Sequence, residues 1–304
     1  MSTENPADCQ TVNRREVIKT LFTLAAAYTA TGCKREADSL STFFHTHFKE
    51  MSPEKLASTM ESWERRYKKR YNREISVNAT PAQEGVLFGY ALDVSRCIGC
   101  RKCVYACVDE NNQSRDPQVH WITVLEMDNK HGIDLRHADA YYEAEKVPRE
   151  DKFYFPVQCQ QCENPACVKS CPVKATWKDP DGIVVVDYEW CVGCRCCVTA
   201  CPYGARSFNW ARPNVPAEEI NPVTEYLGNR PRPQGVVEKC TFCMQRSRNG
   251  KYPACVEVCP VGARKFGNLL DPNSEINYVL KNHRIFILKE ELNTQPKFFY
   301  YFSI

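Results

Sequence analysis

Cysteine is the residue type able to carry chemistry in this chain, and it falls into four groups. The first reads Cys97-Ile-Gly-Cys100-Arg-Lys-Cys103-Val-Tyr-Ala-Cys107. The third reads Cys191-Val-Gly-Cys194-Arg-Cys196-Cys197-Val-Thr-Ala-Cys201-Pro202. The second, Cys159, Cys162, Cys167 and Cys171-Pro172, widens one gap, and the fourth, Cys240, Cys243, Cys255 and Cys259-Pro260, widens it further. Every group opens with two cysteines three apart and closes with two cysteines four apart. Thiolates at this spacing hold cubane [4Fe–4S] clusters, whose irons need sulfurs converging from several directions. A tight loop presents three sulfurs, and glycines such as Gly99 and Gly193 let backbone turn close to them. The fourth cysteine is expected at the start of a helix leaving the loop, where in two-cluster proteins it ligates the other cluster. Four such groups imply four [4Fe–4S] clusters in two crossed pairs.

Zinc is the competing reading, because zinc ribbons also use C-x-x-C pairs. Zinc needs only two such pairs per ion, however, and has no use for the longer run with its trailing proline. Cys196 fits neither register and reads as a free thiol beside a cluster; Cys9 reads as irrelevant. Val108 follows Cys107 where proline follows the other three closing cysteines, which alters local stiffness and frees a backbone amide near the sulfur. The formal charge is +3, and an oxidised cubane with four thiolates carries about −2. Basic residues such as Arg101, Lys102, Arg195, Lys239 and Arg264 then read as partial compensation.

Composition narrows the classes further. The 304 residues suit one or two domains. Setting the 19 cysteines aside, the apolar content falls short of the ~45–50% of an ordinary globular chain. Balanced charge argues against nucleic acid. Mean hydropathy is −0.49, and no run approaches the ~18–20 apolar residues of a membrane span. No Gly-x-Ser-x-Gly, His-Glu-x-x-His or phosphate-loop pattern is present. The chain reads as a conductor of electrons with no substrate site of its own.

These residues need elements to hold them. Residues 1–33 read as an export signal: Arg14-Arg15 precedes a short apolar stretch from Leu21 to Ala30. The pattern resembles a twin-arginine signal, whose pathway exports folded, cofactor-loaded proteins, so the expected location is the periplasmic side of the cytoplasmic membrane. Ala30-Thr31-Gly32-Cys33 makes Cys33 a candidate for lipidation. Residues 34–84 read as a polar connector with one helix, capped by Ser52 with Pro53 at its first position. Its apolar stripe is Leu56, Met60, Trp63, Tyr67 and Tyr71, and its run Arg65 to Arg70 reads as a solvated basic face. Residues 85–271 carry the cysteines, separated by strand-like pieces at Val119–Leu125, Phe153–Val157 and Ile183–Val186. A tail, 272–304, has strand-like runs at Arg284–Leu288 and Phe298–Phe302. Five consecutive aromatics there seek burial on both faces; the segment Lys297 to Ile304 is expected to dock on another subunit, the alternative being that the tail packs back over a ferredoxin lobe of its own chain.

The four groups, with the second and fourth widened, together with Gln158-Cys-Gln-Gln-Cys162-Glu-Asn-Pro165 and Glu238-Lys-Cys-Thr-Phe-Cys243, resemble the iron–sulfur subunits of complex iron–sulfur molybdoenzymes. That family includes subunits of dimethyl sulfoxide, tetrathionate and polysulfide reductases and of formate dehydrogenase N. The resemblance covers about residues 85–304. It implies an α+β fold of two pseudo-symmetric bacterial ferredoxin-like lobes, here with an N-terminal helical extension and a C-terminal strand tail. It implies that one cluster takes Cys97, Cys100, Cys103 and Cys259, and the next Cys107, Cys240, Cys243 and Cys255. A third takes Cys159, Cys162, Cys167 and Cys201, and the last Cys171, Cys191, Cys194 and Cys197. It further implies two partners, a quinone-reactive integral membrane subunit and a catalytic oxidoreductase subunit, often a molybdopterin enzyme. A stand-alone polyferredoxin shuttle is the alternative, and a zinc-stapled interaction module a more distant one.

Overall fold

The computed structural model describes residues 46–303; Arg14-Arg15, Cys9 and Cys33 lie outside the described residues. Helix α1, Pro53–Tyr71, starts as its residue types dictate. Ser52 accepts a hydrogen bond from the Lys55 amide, and Pro53 sits where an amide would lack a partner anyway. It ends where Asn72 turns left-handed and returns its amide to the Lys68 carbonyl. Tyr67 and Tyr71 are buried in the main core, with Met60 and Trp63 packed against it, while Arg65, Arg66, Lys68, Lys69 and Arg70 stay exposed. The expected connector helix is thus part of the same compact unit as the cysteine groups.

The strands join the cysteine groups in sequence. Short β1, Ser76–Asn78, pairs in parallel with a distant partner, Val223–Glu225. Strand β2, Phe88–Asp93, leads into the first group. β3, Thr123–Asp128, leaves that group and pairs antiparallel with β4, Lys152–Val157, which enters the second. β5, Thr176–Lys178, leaves the second and pairs with β6, Val184–Val186, which enters the third. β7, Ser207–Phe208, leaves the third; beyond β8, Val223–Glu225, it finds β9, Val237–Glu238, entering the fourth. β10, Arg264–Asn268, leaves the fourth and pairs with β2, closing the circuit, Arg264 opposite Leu92 and Asn268 opposite Phe88. These short hairpin-like pairs are the mixed architecture that the Pro- and Gly-punctuated sequence suggests.

Each cysteine group also contains a helix: α2, Lys102–Glu110; α3, Ala166–Lys169; α4, Cys196–Ala200; and, after the single turn α5, Met244–Ser247, α6, Ala254–Glu257. Here the expectation needs correcting. The third cysteine of each group, not the fourth, lies in the first turn of the helix; the fourth follows one turn later. Cys107 lies within α2, whereas Cys171, Cys201 and Cys259 fall just past the ends of α3, α4 and α6. Pro172, Pro202 and Pro260 have no amide to continue a helix, and α3, α4 and α6 stop before them. Val108 has one, so α2 runs on to Glu110. Helix α2 packs on α6, and α3 on α4.

The tail overturns the expected docking segment. β12, Phe298–Tyr301, lies parallel to β2, with Phe298 opposite Tyr90 and Tyr301 opposite Asp93. On its other side it pairs antiparallel with β11, Ile285–Phe286. Phe298 and Tyr300 are buried in the main core. Tyr301 is buried on the opposite face beneath α7, Glu275–Asn282, through Ile276 and Val279. Both faces of Phe298–Tyr301 are covered by this chain itself, while Phe302 stays exposed.

The deficit of ordinary apolar residues is met by aromatic rings and paired arginines. Arg230 is fully buried, lies 4.7 Å from the Trp63 ring centroid and 4.6 Å from that of Tyr226, and pairs with Glu189 at 3.2 Å. Arg232 donates from Nε to Glu238 at 2.6 Å.

Candidate iron–sulfur sites

The leading C-x-x-C of every group turns the same way. Its third residue has a left-handed backbone: Gly99 at φ 73°, Gln161 at 43°, Gly193 at 68° and Phe242 at 52°. At Gly99 an added Cβ would lie 2.3 Å from the Tyr154 ring, so the ring or the loop would have to shift. Gln161 and Phe242 hold the same turn without glycine, at a cost of about 1–2 kcal/mol each. Gln161 is anchored by donating to the Cys240 carbonyl at 2.8 Å and accepting from the Val184 amide at 2.8 Å. These two residues escape a sequence reading that looks only for glycine.

The loops gather sulfurs into quartets. One cavity is lined by Cys97, Cys100, Cys103 and Cys259. Burial pushes the Cys97 thiol up to about 12, with neighbouring Cys103 and Cys259 adding to the rise. Burial pushes Cys107 well up too, reinforced by Cys243, Cys240 and Cys255. Cys162 is raised to about 12 by burial and then by Cys159, Cys167 and Cys201. In the last set, Cys191 adds to the burial of Cys197, and Cys194 and Cys171 flank Cys196. The quartets also lie near enough to influence one another: Cys255 raises the Cys103 thiol, Cys159 that of Cys240 and Cys167 that of Cys197. Cys196 is exposed and its sulfur faces the Cys194 carbonyl at 3.9 Å.

Donors converge on the sulfurs. Arg264 donates from Nη2 to Cys103 Sγ at 3.2 Å and from Nη1 to Tyr90 Oη and Gln158 Oε1, both at 2.9 Å. The Tyr90 hydroxyl, its oxygen so occupied, lies 3.4 Å from Cys255 Sγ. Gln113 Nε2 donates to Cys107 Sγ at 3.1 Å, and Asn111 Nδ2 approaches Cys243 Sγ at 3.5 Å. Arg206 Nη2 donates to Cys167 Sγ at 3.1 Å. Of the other basic residues expected to offset cluster charge, Arg101 and Arg195 lie over the Tyr142 and Trp210 rings. Lys102 is exposed, and Lys239 donates to the Cys240 carbonyl at 2.5 Å. Arg206 is missing from that expectation although a repeat marks it: Cys201-Pro-Tyr-Gly-Ala-Arg206 parallels Cys259-Pro-Val-Gly-Ala-Arg264.

The donor set fits iron–sulfur clusters. All seventeen described cysteines are free of disulfides. Among the described residues no three His, Cys, Asp or Glu side chains converge closely enough for one metal ion; Cys97, Cys100, Cys103 and Cys259 line a cavity instead. Buried thiols with raised pKa values stay neutral unless a metal claims them.

Two family models, both described as a 4Fe-4S dicluster domain, match residues 96–175 and residues 150–217 with 227–269. The chain is 42% identical over 214 residues to a Halobacterium salinarum protein named as the iron–sulfur subunit of a dimethyl sulfoxide reductase, covering 70% of this chain and 78% of the relative. The chain belongs to this family of reductase iron–sulfur subunits. A selenate reductase subunit of Mesobacillus selenatarsenatis is 38% identical to this iron–sulfur subunit, covering 69% of it and 70% of the relative. The menaquinone reductase iron–sulfur cluster-binding subunit of Nitratidesulfovibrio vulgaris is 35% identical, covering 71% and 88%.

Proposed function

We propose that this iron–sulfur subunit relays electrons between a quinone-reactive integral membrane subunit and a catalytic subunit of the molybdopterin type. The observation that carries the reading is that neighbouring quartets lie near one another, Arg264 reaching Cys103 directly and Cys255 through the Tyr90 hydroxyl. Cys97, Cys100, Cys103 and Cys259 hold the first [4Fe–4S] cluster, and Cys107, Cys240, Cys243 and Cys255 the second. Cys159, Cys162, Cys167 and Cys201 hold the third, and Cys171, Cys191, Cys194 and Cys197 the fourth, the two crossed pairs forming two pseudo-symmetric lobes. When bound, each cluster takes up and returns one electron. The protein shields the interior of the line, where Cys107, Cys240, Cys243 and Cys255 are all buried, and brings both ends toward the surface, at half-buried Cys97 and Cys100 and at exposed Cys194. The relatives named for menaquinone and for selenate support a quinone at one end and a reducible substrate at the other.

We place the subunit on the periplasmic side of the cytoplasmic membrane, delivered folded through Arg14-Arg15 and held there by its partners, with Cys33 as a candidate lipid anchor. No helix among the described residues is long and apolar enough to cross a membrane. Thiolates already capped by clusters withstand an oxidising compartment. Replacing Arg14 and Arg15 by Lys is expected to leave loaded protein in the cytoplasm; undiminished export would overturn the twin-arginine reading.

The relay is tested on anaerobically purified protein, which should carry about sixteen irons and equal acid-labile sulfide per chain and co-purify with a membrane subunit. Zinc in place of iron would sink the cluster reading. Full iron without any membrane partner would favour the free polyferredoxin shuttle instead.

A further inference from the structure

Five arginines and two lysines are buried deeply enough to demand a counter-charge, and they divide into two classes. Arg230, Arg232, Arg248 and Lys297 each meet a carboxylate: Glu189 at 3.2 Å, Glu238 at 2.6 Å, Asp181 at 2.7 Å and Glu163 at 3.1 Å. Arg206, Lys239 and Arg264 are equally buried, at 4%, 1% and 3% exposure, yet none pairs with an Asp or Glu among the described residues. An uncompensated buried cation costs several kcal/mol, so these three need negative charge of another kind.

Their positions identify it. Arg264 donates to Cys103 and, through the Tyr90 hydroxyl, reaches toward Cys255. Arg206 donates to Cys167 at 3.1 Å and lies close enough to act on Cys197 as well. Its Nε and Nη1 find no protein acceptor. Lys239 sits between the loops of the fourth and second groups, with Nζ 2.5 Å from the Cys240 carbonyl and 3.5 Å from Gln161 Oε1. Cys103 with Cys255, Cys240 with Cys159, and Cys167 with Cys197 are the three pairs through which neighbouring quartets approach one another. One carboxylate-free cation stands at each.

Resting on the relay reading above, we infer that Arg264, Lys239 and Arg206 are positioning residues for electron transfer, one at each handover between clusters. Each raises the reduction potential of the clusters it adjoins and weakens the repulsion between them when both are reduced. The physical step is simple: one electron enters a cluster, no bond forms or breaks, and the added negative charge is met by a fixed cation in a medium of low dielectric. Charge-assisted donation to sulfur favours the more negative state.

The test is a mediated redox titration with dithionite, followed by electron paramagnetic resonance, on the complete complex carrying Arg264→Gln, Lys239→Gln or Arg206→Gln. Iron content is measured alongside, so that failure of the relay reading itself would be seen as missing clusters in the unmutated protein. Each neutral variant should lower the midpoint of at least one cluster by about tenfold in the reduction equilibrium, about 59 mV for one electron, with different signals moving in the Arg264 and Arg206 variants. Arg264→Lys and Arg206→Lys should recover part of the shift. Unchanged midpoints in variants that keep their iron would overturn the inference. Should a neutral variant shed iron, unmutated protein labelled with ¹⁵N-arginine decides: guanidinium coupling to reduced clusters is expected, and its absence would overturn the roles of both arginines.

Discussion

Tyr300 stacks on Phe155 with ring centroids 4.5 Å apart and planes within 16°, joining the C-terminal strand to the strand that enters the second cysteine group. Tyr300 also donates from its hydroxyl to the Pro156 carbonyl at 3.2 Å, and Phe298 stacks on Tyr90 at 4.6 Å. Each fully buried aromatic contributes about 1.5–3 kcal/mol, against a total stability of about 5–15 kcal/mol for a typical domain. Truncation after Pro296 removes Phe298, Tyr300 and Tyr301 together. The truncated chain should fail to retain iron and should unfold at ordinary temperature; retention of full iron with a near-normal melting temperature would return the tail to a peripheral role.

Glycine positions give a graded test. Gly193→Ala would drive a Cβ to 2.2 Å from the Gly235 carbonyl oxygen, and Gly99→Ala one to 2.3 Å from the Tyr154 ring, whose hydroxyl is tied to Glu126. Overpacking of this kind costs about 1–3 kcal/mol, added to about 1–2 kcal/mol for the left-handed backbone. Gly204→Ala shares the positive φ but meets nothing within 4 Å, so only the second cost applies. Melting temperatures should fall in Gly99→Ala and Gly193→Ala well below that of Gly204→Ala.

The doubled cysteine of the third group separates ligand from bystander. Cys197 is buried one turn before Cys201 on α4, whereas Cys196 is exposed. Cys197→Ser should lower iron content, and Cys196→Ser should leave it unchanged while removing one rapidly alkylated thiol. The reverse pattern would show that the ligand register is shifted by one.

Acid should release the end of the chain. Burial pushes the Asp93 carboxyl up, but hydrogen bonds from Ser303 and Ser95 outweigh burial and hold it below its ordinary 3.8. A carboxyl depressed in the folded state stabilises the fold above its unfolded pKa, and that contribution is lost as pH falls through the folded value. Protection of the Phe298–Tyr301 amides, taken relative to their intrinsic exchange rate at each pH, should therefore fall below about pH 4. In Asp93→Asn that protection should be low already at neutral pH and vary little with acid; an acid response identical to that of the unmutated chain would place the titrating group elsewhere.

The cysteine groups, the capped helix from Pro53 and the strand pieces around Phe153 and Val184 are legible from residue type and spacing, because each is a local matter. The tail is not. Its aromatic run states that both faces are buried, but the strand that accepts it, Phe88–Asp93, lies at the other end of the cysteine-bearing body, and nothing local to either announces the pairing. The helix position of the closing cysteines escapes for a simpler reason: a proline read as a neutral follower of the ligand decides, by its missing amide, where the helix stops. Arg206 is visible in the repeated Cys-Pro-x-Gly-Ala-Arg, yet charge alone does not distinguish a buried guanidinium from a solvated one.

The closed circuit of strand pairs bears on how the protein is made. The β5–β6 pair, with the second and third groups on either side of it, is complete soon after residue 201 leaves the ribosome. β2 emerges early but waits for β10 and then β12, both of which lie beyond all four cysteine groups. Until then a nascent chain exposes an unpaired strand edge and the thiols of its first group, a combination that invites aggregation. The first and fourth groups can meet only once the chain has grown past Cys259, so their loading follows that of the second and third. Any factor that shelters the immature subunit has to hold it until β10 and β12 are in place.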